Sequence, residues 1–180
     1  MKPGSERKLI LYIAVSLDGY IADPRGGIGF LDGISMPGTY GQFYGSVDTI
    51  IMGNTTYRQI KYELSPDAWP YRDKPVYVYT RKVPDTPGDE GVFYTDRPPE
   101  ELLGEIREKP GGDIWLMGGG TLVKAFLEKS CIDELMIYII PCLLGEGIPL
   151  FPPEFPETGL VLKSCTPAGD SLELIYTVKR

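Results

Sequence analysis

The chain has 180 residues, a formal net charge of -7 and no histidine. This length predicts a single domain with its own hydrophobic core, and the acidic balance argues against nucleic acid as the main partner. The lack of histidine excludes Ser-His-Asp and Cys-His nucleophilic chemistry, the HExxH zinc site and the HxE motif of nucleobase deaminases.

Hydrophobic runs and cysteines indicate the cellular compartment. No apolar run approaches the roughly 18 residues that span a bilayer, and the first one is too short and strand-like for a signal sequence. The three cysteines, Cys131, Cys142 and Cys165, lack CxxC spacing, which favours buried free thiols in a reducing compartment. We expect a soluble cytoplasmic protein with no membrane partner, disulfide or metal site.

The first two thirds of the chain alternate between strand-like and helix-like segments. Strands rich in Val, Ile, Tyr and Leu are predicted at residues 8–17, 47–53, 74–81, 91–95 and 113–118. Helices are predicted at 55–64, 98–109 and 120–129, with a short one near 39–47. This alternation predicts an α/β fold, and the strands that are apolar on both faces indicate a covered, largely parallel sheet.

The C-terminal third has a different pattern. Runs at 133–144, 159–169 and 171–180 follow one another with only turn residues between them. We expect them to add an antiparallel hairpin to a mixed sheet. No repeat, linker or change of composition divides the chain, so one domain over residues 1–180 is predicted.

Three consecutive glycines, Gly118 to Gly120, lie between a predicted buried strand and a predicted helix. Such a turn leaves backbone N–H groups unpaired at the positive end of the helix dipole, where phosphate oxygens bind. A side chain would hold a pyrophosphate away from this backbone. Val123 occupies the position of the third glycine of a dinucleotide fingerprint, so a tight turn packed for its own sake is the alternative.

Three other segments add features of nucleotide binding. TIIMGNTTYRQI (49–60) is a strand, a glycine and a helix start with two threonines. PVYVYTRK (75–82) ends in a polar and cationic cluster that suits a ribose 2′-phosphate. AVSLDGYIADPRGGIGFL (14–31) is a strand that leads into Asp18-Gly19 and a glycine-rich loop.

In this order, these segments resemble the dihydrofolate reductase fold, and more closely the C-terminal reductase domain of the riboflavin-biosynthesis protein RibD and its stand-alone bacterial relatives. The most specific part is residues 113–151, with the glycine turn, the IDEL strand and the sequence PCLLGEGIPLF. The resemblance implies a three-layer α/β/α fold with a central mixed, mostly parallel sheet and a C-terminal antiparallel hairpin. It also implies an NADPH-dependent reductase with a small-molecule substrate, and a homodimer.

Carried to the matching positions, the resemblance implies three groups of cofactor contacts. The pyrophosphate and nicotinamide ribose would lie against Gly118, Gly119, Gly120, Thr121 and Leu122, with Gly53, Thr55 and Thr56 on the pyrophosphate. The adenosine 2′-phosphate would meet Thr80 and Arg81, with Lys82 as a weaker candidate. Ala14, Ser16 and the loop from Asp18 to Ile28 would line the nicotinamide and substrate pocket. The residues alone leave helix caps, a solvated arginine and a plain turn as alternatives.

Two departures from dihydrofolate reductases bear on the substrate. Asn54 stands where those enzymes carry an arginine, and the position of their pterin-binding acid falls near Pro37, where this chain has no carboxylate. For a proton donor we rank Asp18 and Asp32 first, as carboxylates whose pKa burial would raise. The alternative for each is a turn cap.

The leading hypothesis is a reductase of the RibD C-terminal type, whose family substrate is a ribosylaminopyrimidinone 5′-phosphate. Arg25 is the only basic residue that the substrate loop supplies, so another heterocycle or a carbonyl compound is equally open. A dihydrofolate reductase is the second enzyme hypothesis. A module that senses NADPH without turnover, and an interaction domain without nucleotide affinity, are hypotheses from other classes.

Overall fold

The computed structural model describes residues 7–34, 38–84 and 89–179. In chain order, its strands are β1 (Leu9–Ser16), β2 (Tyr20–Ala22), β3 (Val47–Gly53), β4 (Val76–Tyr79), β5 (Val92–Thr95), β6 (Asp113–Gly118), β7 (Glu134–Ile140), β8 (Ile148–Pro149), β9 (Leu160–Ala168) and β10 (Ser171–Val178). The helices are α1 (Tyr40–Ser46), α2 (Asn54–Gln59), α3 (Pro99–Glu108) and α4 (Gly120–Glu128). A π-helical turn, Ile60–Leu64, continues α2.

Eight strands form the central sheet, in the order β5-β4-β3-β6-β1-β7-β10-β9. All neighbours from β5 to β7 are parallel, whereas β10 is antiparallel to both β7 and β9. The predicted mixed, mostly parallel sheet with a C-terminal antiparallel hairpin is therefore confirmed. Parallel strands are covered on both faces, and the consecutive residues Ile50 and Ile51 of β3 are accordingly both fully buried.

Helices cover both faces of the sheet, which gives the predicted three layers. On one face, Leu102 of α3 and Phe126 of α4 pack in a cluster with Leu11 of β1. On the other face, Phe43 of α1 and Tyr57 of α2 belong to a second cluster. Within the described ranges, the structure has no helix long and apolar enough to span a membrane.

Two details differ from the sequence predictions. The unpredicted strands β2 and β8 form a small sheet of their own, in which Tyr20 lies opposite Pro149. With three and two residues, they are too short to show a periodic pattern. The prediction of buried thiols is correct for Cys131 and wrong for the other two cysteines: Cys142 is partly exposed, and Cys165 is exposed on β9, at one end of the central sheet.

Candidate functional site

Strands β1 and β6 separate toward their carboxyl ends. They pair only over residues 9–11 and 114–116, whereas β1 stays paired with β7 to its last residue. Where the strands part, the indole N–H of Trp115 donates to the carbonyl of Tyr12 over 3.0 Å. Because backbone groups alternate along a strand, the N–H and C=O of Ala14 point to the same side as that carbonyl. They therefore face the opening between β1 and β6.

The glycines of the turn after β6 have different structural roles. Gly118 has a φ of +108°, which disfavours any side chain, and its peptide bond to Gly119 is cis. A Cβ on Gly120 would overlap the carbonyl oxygen of Pro149. Close packing against β8 thus accounts for Gly120, and the packed-turn alternative applies at this position.

Helix α4 begins at the same turn, after Gly119. The N–H groups of Leu122 and Val123 both donate to the Gly119 carbonyl over 3.0 Å, and no side chain caps the helix. The N–H groups of Gly120 and Thr121 precede these donors, as the first orphan groups of a helix do. Leu122 is buried in the core, so only its backbone could contact a cofactor, whereas Thr121 is exposed.

A second helix start lies directly beside this turn. A Cβ on Gly53 would lie 3.7 Å from the carbonyl oxygen of Gly118 and 3.9 Å from the nitrogen of Gly119. Gly53 is the N-cap of α2. Thr55 and Thr56 therefore lie inside the first turn of the helix, and the interpretation of either as an N-cap is wrong. The N-terminus of α2 and the N-terminus of α4 therefore lie next to each other, on the same side of this turn.

Polar and cationic residues follow β4 and β5 at this edge of the sheet. The N–H of Thr80 donates to the carbonyl of Thr95 over 3.0 Å, and the Thr80 hydroxyl donates to the carbonyl of Lys82 over 3.2 Å. Arg81 and Lys82 are exposed. Arg97, a cation at the same edge that the sequence analysis missed, pairs with Glu105 at 2.5 Å.

Asp18 connects the loop after β1 to the loop after β7 through hydrogen bonds. Its carboxylate accepts hydrogen bonds from the hydroxyl of Ser16 (2.6 Å) and the N–H groups of Leu144 (3.1 Å) and Gly145 (2.7 Å). The bond from Ser16, followed by those from the two amides, lowers the pKa of Asp18. The expectation of a raised pKa is therefore wrong for Asp18, and its contacts favour a role in holding the loop.

Asp32 lies in the glycine-rich loop, directly after a 3-10 turn over Gly29–Leu31. Its N–H donates to the carbonyl of Gly29 over 3.1 Å, and its side chain is exposed. The burial that the proposed role as a proton donor requires is therefore absent at Asp32. Ile28 precedes the turn and is partly exposed. Pro37, near the counted position of a pterin-binding acid, lies outside the described residues.

Glu173 on β10 is a buried acid that the sequence analysis missed. It is 3% exposed, and the hydroxyl of Thr39 donates to its carboxylate over 2.5 Å. In the ladder it lies opposite Tyr138, which on its other side lies opposite Ala14. The available signal was a lone carboxylate in the alternating run SLELIYTV, which does not show whether its face is covered. In the described part of the chain, no group of three or more Cys, Asp or Glu residues could hold a metal ion.

Comparison with known sequences identifies the family. The model of the RibD C-terminal domain matches residues 7–174. The chain belongs to the RibD C-terminal domain family. YwjB, an uncharacterized protein of Bacillus subtilis, is 42% identical to this protein over 173 residues. The matched region covers 95% of this chain and 98% of YwjB. RibD C-terminal domains form a family of NADPH-dependent reductases.

Solved structures agree with this assignment. A Shewanella sp. PV-4 protein, provisionally assigned to riboflavin biosynthesis, has a TM-score of 0.84 at 29% identity, with 96% of this chain and 99% of that one covered. The Thermotoga maritima deaminase/5-amino-6-(5-phosphoribosylamino)uracil reductase gives 0.71 at 16% identity, covering 97% of this chain and 57% of that one. Dihydrofolate reductase from Enterococcus faecalis, complexed with NADP(H), gives 0.63 at 17% identity, covering 97% and 98%. The last two show a shared fold.

Proposed function

We propose that this protein is an NADPH-dependent reductase that transfers hydride to a small heterocyclic or carbonyl substrate. The observation that carries the proposal is the meeting of two glycine-led helix starts beside the opening between β1 and β6. Gly53 precedes α2, Gly119 precedes α4, and a Cβ on Gly53 would stand in the space between them. Phosphate oxygens bind backbone N–H groups of this kind, so the residues present fit a pyrophosphate.

Ala14 would hold the nicotinamide end of the cofactor. Its N–H donor and C=O acceptor face the opening, and a primary carboxamide carries the complementary acceptor and donors. The bound nicotinamide would supply the hydride. Positioning of the two rings and exclusion of water are then the protein's main contributions, so a chain without histidine can support this chemistry.

The basic cluster after β4 would select NADPH over NADH. Arg81 and Lys82 are exposed at the end of β4, and the Thr80 hydroxyl lies at the same turn. A guanidinium can bind a phosphate through two parallel hydrogen bonds, which a ribose 2′-hydroxyl cannot match. Arg97 is less suited, since Glu105 already pairs with it.

A fluorescence titration with NADPH and NADH tests this assignment. We expect the wild type to bind NADPH at micromolar concentration and NADH at least tenfold more weakly. Arg81→Ala should lose most of that preference because the 2′-phosphate loses its guanidinium partner. Arg72→Ala is the matched control: Arg72 is also exposed but precedes β4, at the opposite edge of the sheet. Failure of the wild type to bind either nucleotide would overturn the reductase proposal.

Turnover assays separate the remaining hypotheses. NADPH oxidation with 5-amino-6-(5-phosphoribosylamino)uracil would identify a riboflavin-type reductase, and oxidation with dihydrofolate together with methotrexate binding would identify a dihydrofolate reductase. Tight NADPH binding without oxidation in a wide screen of heterocycles and carbonyl compounds would favour a nucleotide sensor.

We also propose a homodimer formed through one face of the β9–β10 hairpin. Leu162 lies opposite Tyr176, which packs on the side of the sheet that α3 and α4 cover. By strand alternation, that side of the hairpin carries only uncharged residues: Leu160, Leu162, Cys165, Pro167, Leu172, Leu174, Tyr176 and Val178. Leu162 is 53% exposed. An apolar patch of this kind on an end hairpin suits a two-fold interface with a second copy.

Leu162→Asp should convert the dimer to a monomer, because the interface would bury two charges without partners, one from each copy. Light scattering coupled to size exclusion measures the mass directly. Val161→Asp is the matched control: Val161 is 49% exposed and lies opposite Thr177, on the other face of the hairpin. A monomeric wild type, or equal effects of the two variants, would contradict this interface.

A further inference from the structure

A cross-strand row connects the proposed nicotinamide contact to a buried acid. Ala14 on β1 lies opposite Tyr138 on β7, and Tyr138 lies opposite Glu173 on β10. Directly opposite residues project from the same face of a sheet. Because neighbouring strands are about 4.8 Å apart, Glu173 originates roughly 10 Å from Ala14. A single substituted ring of a ligand can therefore lie close to both Ala14 and Glu173.

A tyrosine on this face lies beside the acid. Tyr12 precedes Ala14 by two residues on β1 and therefore shares its face. Its ring stacks on Phe43 of α1, with centroids 4.4 Å apart. Burial, followed by the nearby negative charge of Glu173, raises the pKa of Tyr12. The phenol therefore stays protonated and is able to donate a hydrogen bond.

The hydrogen bonding of this pair is incomplete. Tyr12 is 5% exposed, and among the described residues its hydroxyl has no hydrogen-bond partner. In the same part of the chain, the carboxylate of Glu173 accepts a side-chain hydrogen bond from Thr39 alone. An ionised carboxylate can accept about four hydrogen bonds, and a buried hydroxyl without a partner destabilises a fold unless water or a ligand completes it. The hydroxyl of Tyr12 is thus an unused hydrogen-bond donor, and the carboxylate of Glu173 beside it can accept further hydrogen bonds.

We propose that Glu173 and Tyr12 form the polar end of the substrate pocket and select a ligand with an N–H donor next to a carbonyl. Glu173 accepts from the ligand N–H, and Tyr12 donates to the ligand carbonyl. Planar cyclic amides and amino-substituted heterocycles carry this pair of groups, whereas simple ketones and aldehydes lack the N–H. The inference rests on the proposed reductase function, since it places the substrate next to a nicotinamide at Ala14.

Aromatic residues around the pair suit a planar ligand. Tyr12 contacts Tyr40 and Trp115 as well as Phe43, with ring centroids 6.0 and 6.1 Å away. These rings belong to the aromatic core on this face of the sheet, and a flat heterocycle beside the pair would pack against their apolar and π-rich surfaces. Thr39, just before α1, uses one acceptor position on the carboxylate, so a ligand N–H would bond to one of the remaining positions.

Calorimetric titration with isocytosine, in the presence of saturating NADP⁺, tests the subsite. Isocytosine carries N–H groups next to a carbonyl, and unsubstituted pyrimidine is the matched ligand without either group. We expect the wild type to bind isocytosine saturably and pyrimidine at least tenfold more weakly. Glu173→Gln should weaken isocytosine binding at least tenfold and leave NADP⁺ affinity unchanged. Asp170→Asn, which removes an exposed charge in the turn before β10, should change neither.

Tyr12→Phe provides an independent test, because it removes only a hydroxyl that lacks a partner. This variant should melt at a temperature equal to or above that of the wild type, yet bind isocytosine severalfold more weakly. A purely structural tyrosine would not produce these opposite effects. Unchanged isocytosine affinity in both variants, or no binding to the wild-type complex with NADP⁺, would overturn the subsite alone. Failure to bind NADP⁺ would overturn the reductase proposal together with the subsite.

Discussion

Gly120→Ala is expected to lower the free energy of unfolding by about 3 kcal/mol or more, at the upper end of overpacking effects. The new Cβ would overlap the carbonyl oxygen of Pro149 and lie 3.0 Å from that of Leu150. Both are backbone atoms, so a side-chain rotation cannot relieve the overlap. Helix α4 and the β8 segment would have to move apart. Urea unfolding followed by circular dichroism measures the loss.

Gly104→Ala is the control for this substitution. Gly104 lies within α3, and a Cβ there would meet no atom within 4 Å. Alanine should stabilise such a helical site by about 0.5–1 kcal/mol, because it restricts the unfolded chain. If Gly120→Ala unfolds at the same urea concentration as the wild type, packing does not explain this glycine. A cofactor requirement would then be the better explanation.

The parallel part of the fold was predictable because its strands have strong local patterns. The run TIIMG in β3 and the run DIWLMG in β6 are apolar at successive positions, as strands covered on both faces are. The start of α3 was equally clear, since Pro99 is at its first position and two glutamates follow. These signals arise from neighbouring residues and need no knowledge of the partners in the fold.

The roles of individual site residues depend on partners far away in the sequence. The sequence makes Asp18 a candidate proton donor, whereas its bonds from Leu144 and Gly145 show that it connects two loops. The glycines of the β6 turn could not be told apart without the position of Pro149. A sequence pattern reports which residues can turn or bind a phosphate, but long-range contacts decide which of them is free to do so.

Glu173 illustrates the same difficulty for a buried charge. In the run SLELIYTV, a glutamate between leucines indicates a polar face toward solvent. The structure turns that face inward, where Thr39 bonds the carboxylate and Tyr138 lies opposite it. Local alternation thus located the strand correctly and could not show which of its faces would be covered. The sequence analysis missed this buried acid for that reason.

Gly53→Ala is expected to weaken NADPH binding at least tenfold while changing the free energy of unfolding by less than about 1 kcal/mol. The backbone of Gly53 has φ -79° and ψ 154°, which alanine adopts readily. Its Cβ would meet Gly118 and Gly119 only at ordinary contact distances, yet it would stand between the two helix starts. Parallel NADPH titrations and urea unfolding measure both effects, with Gly104→Ala as the variant that should keep wild-type affinity. Unchanged NADPH affinity in Gly53→Ala would show that the pyrophosphate does not lie between α2 and α4.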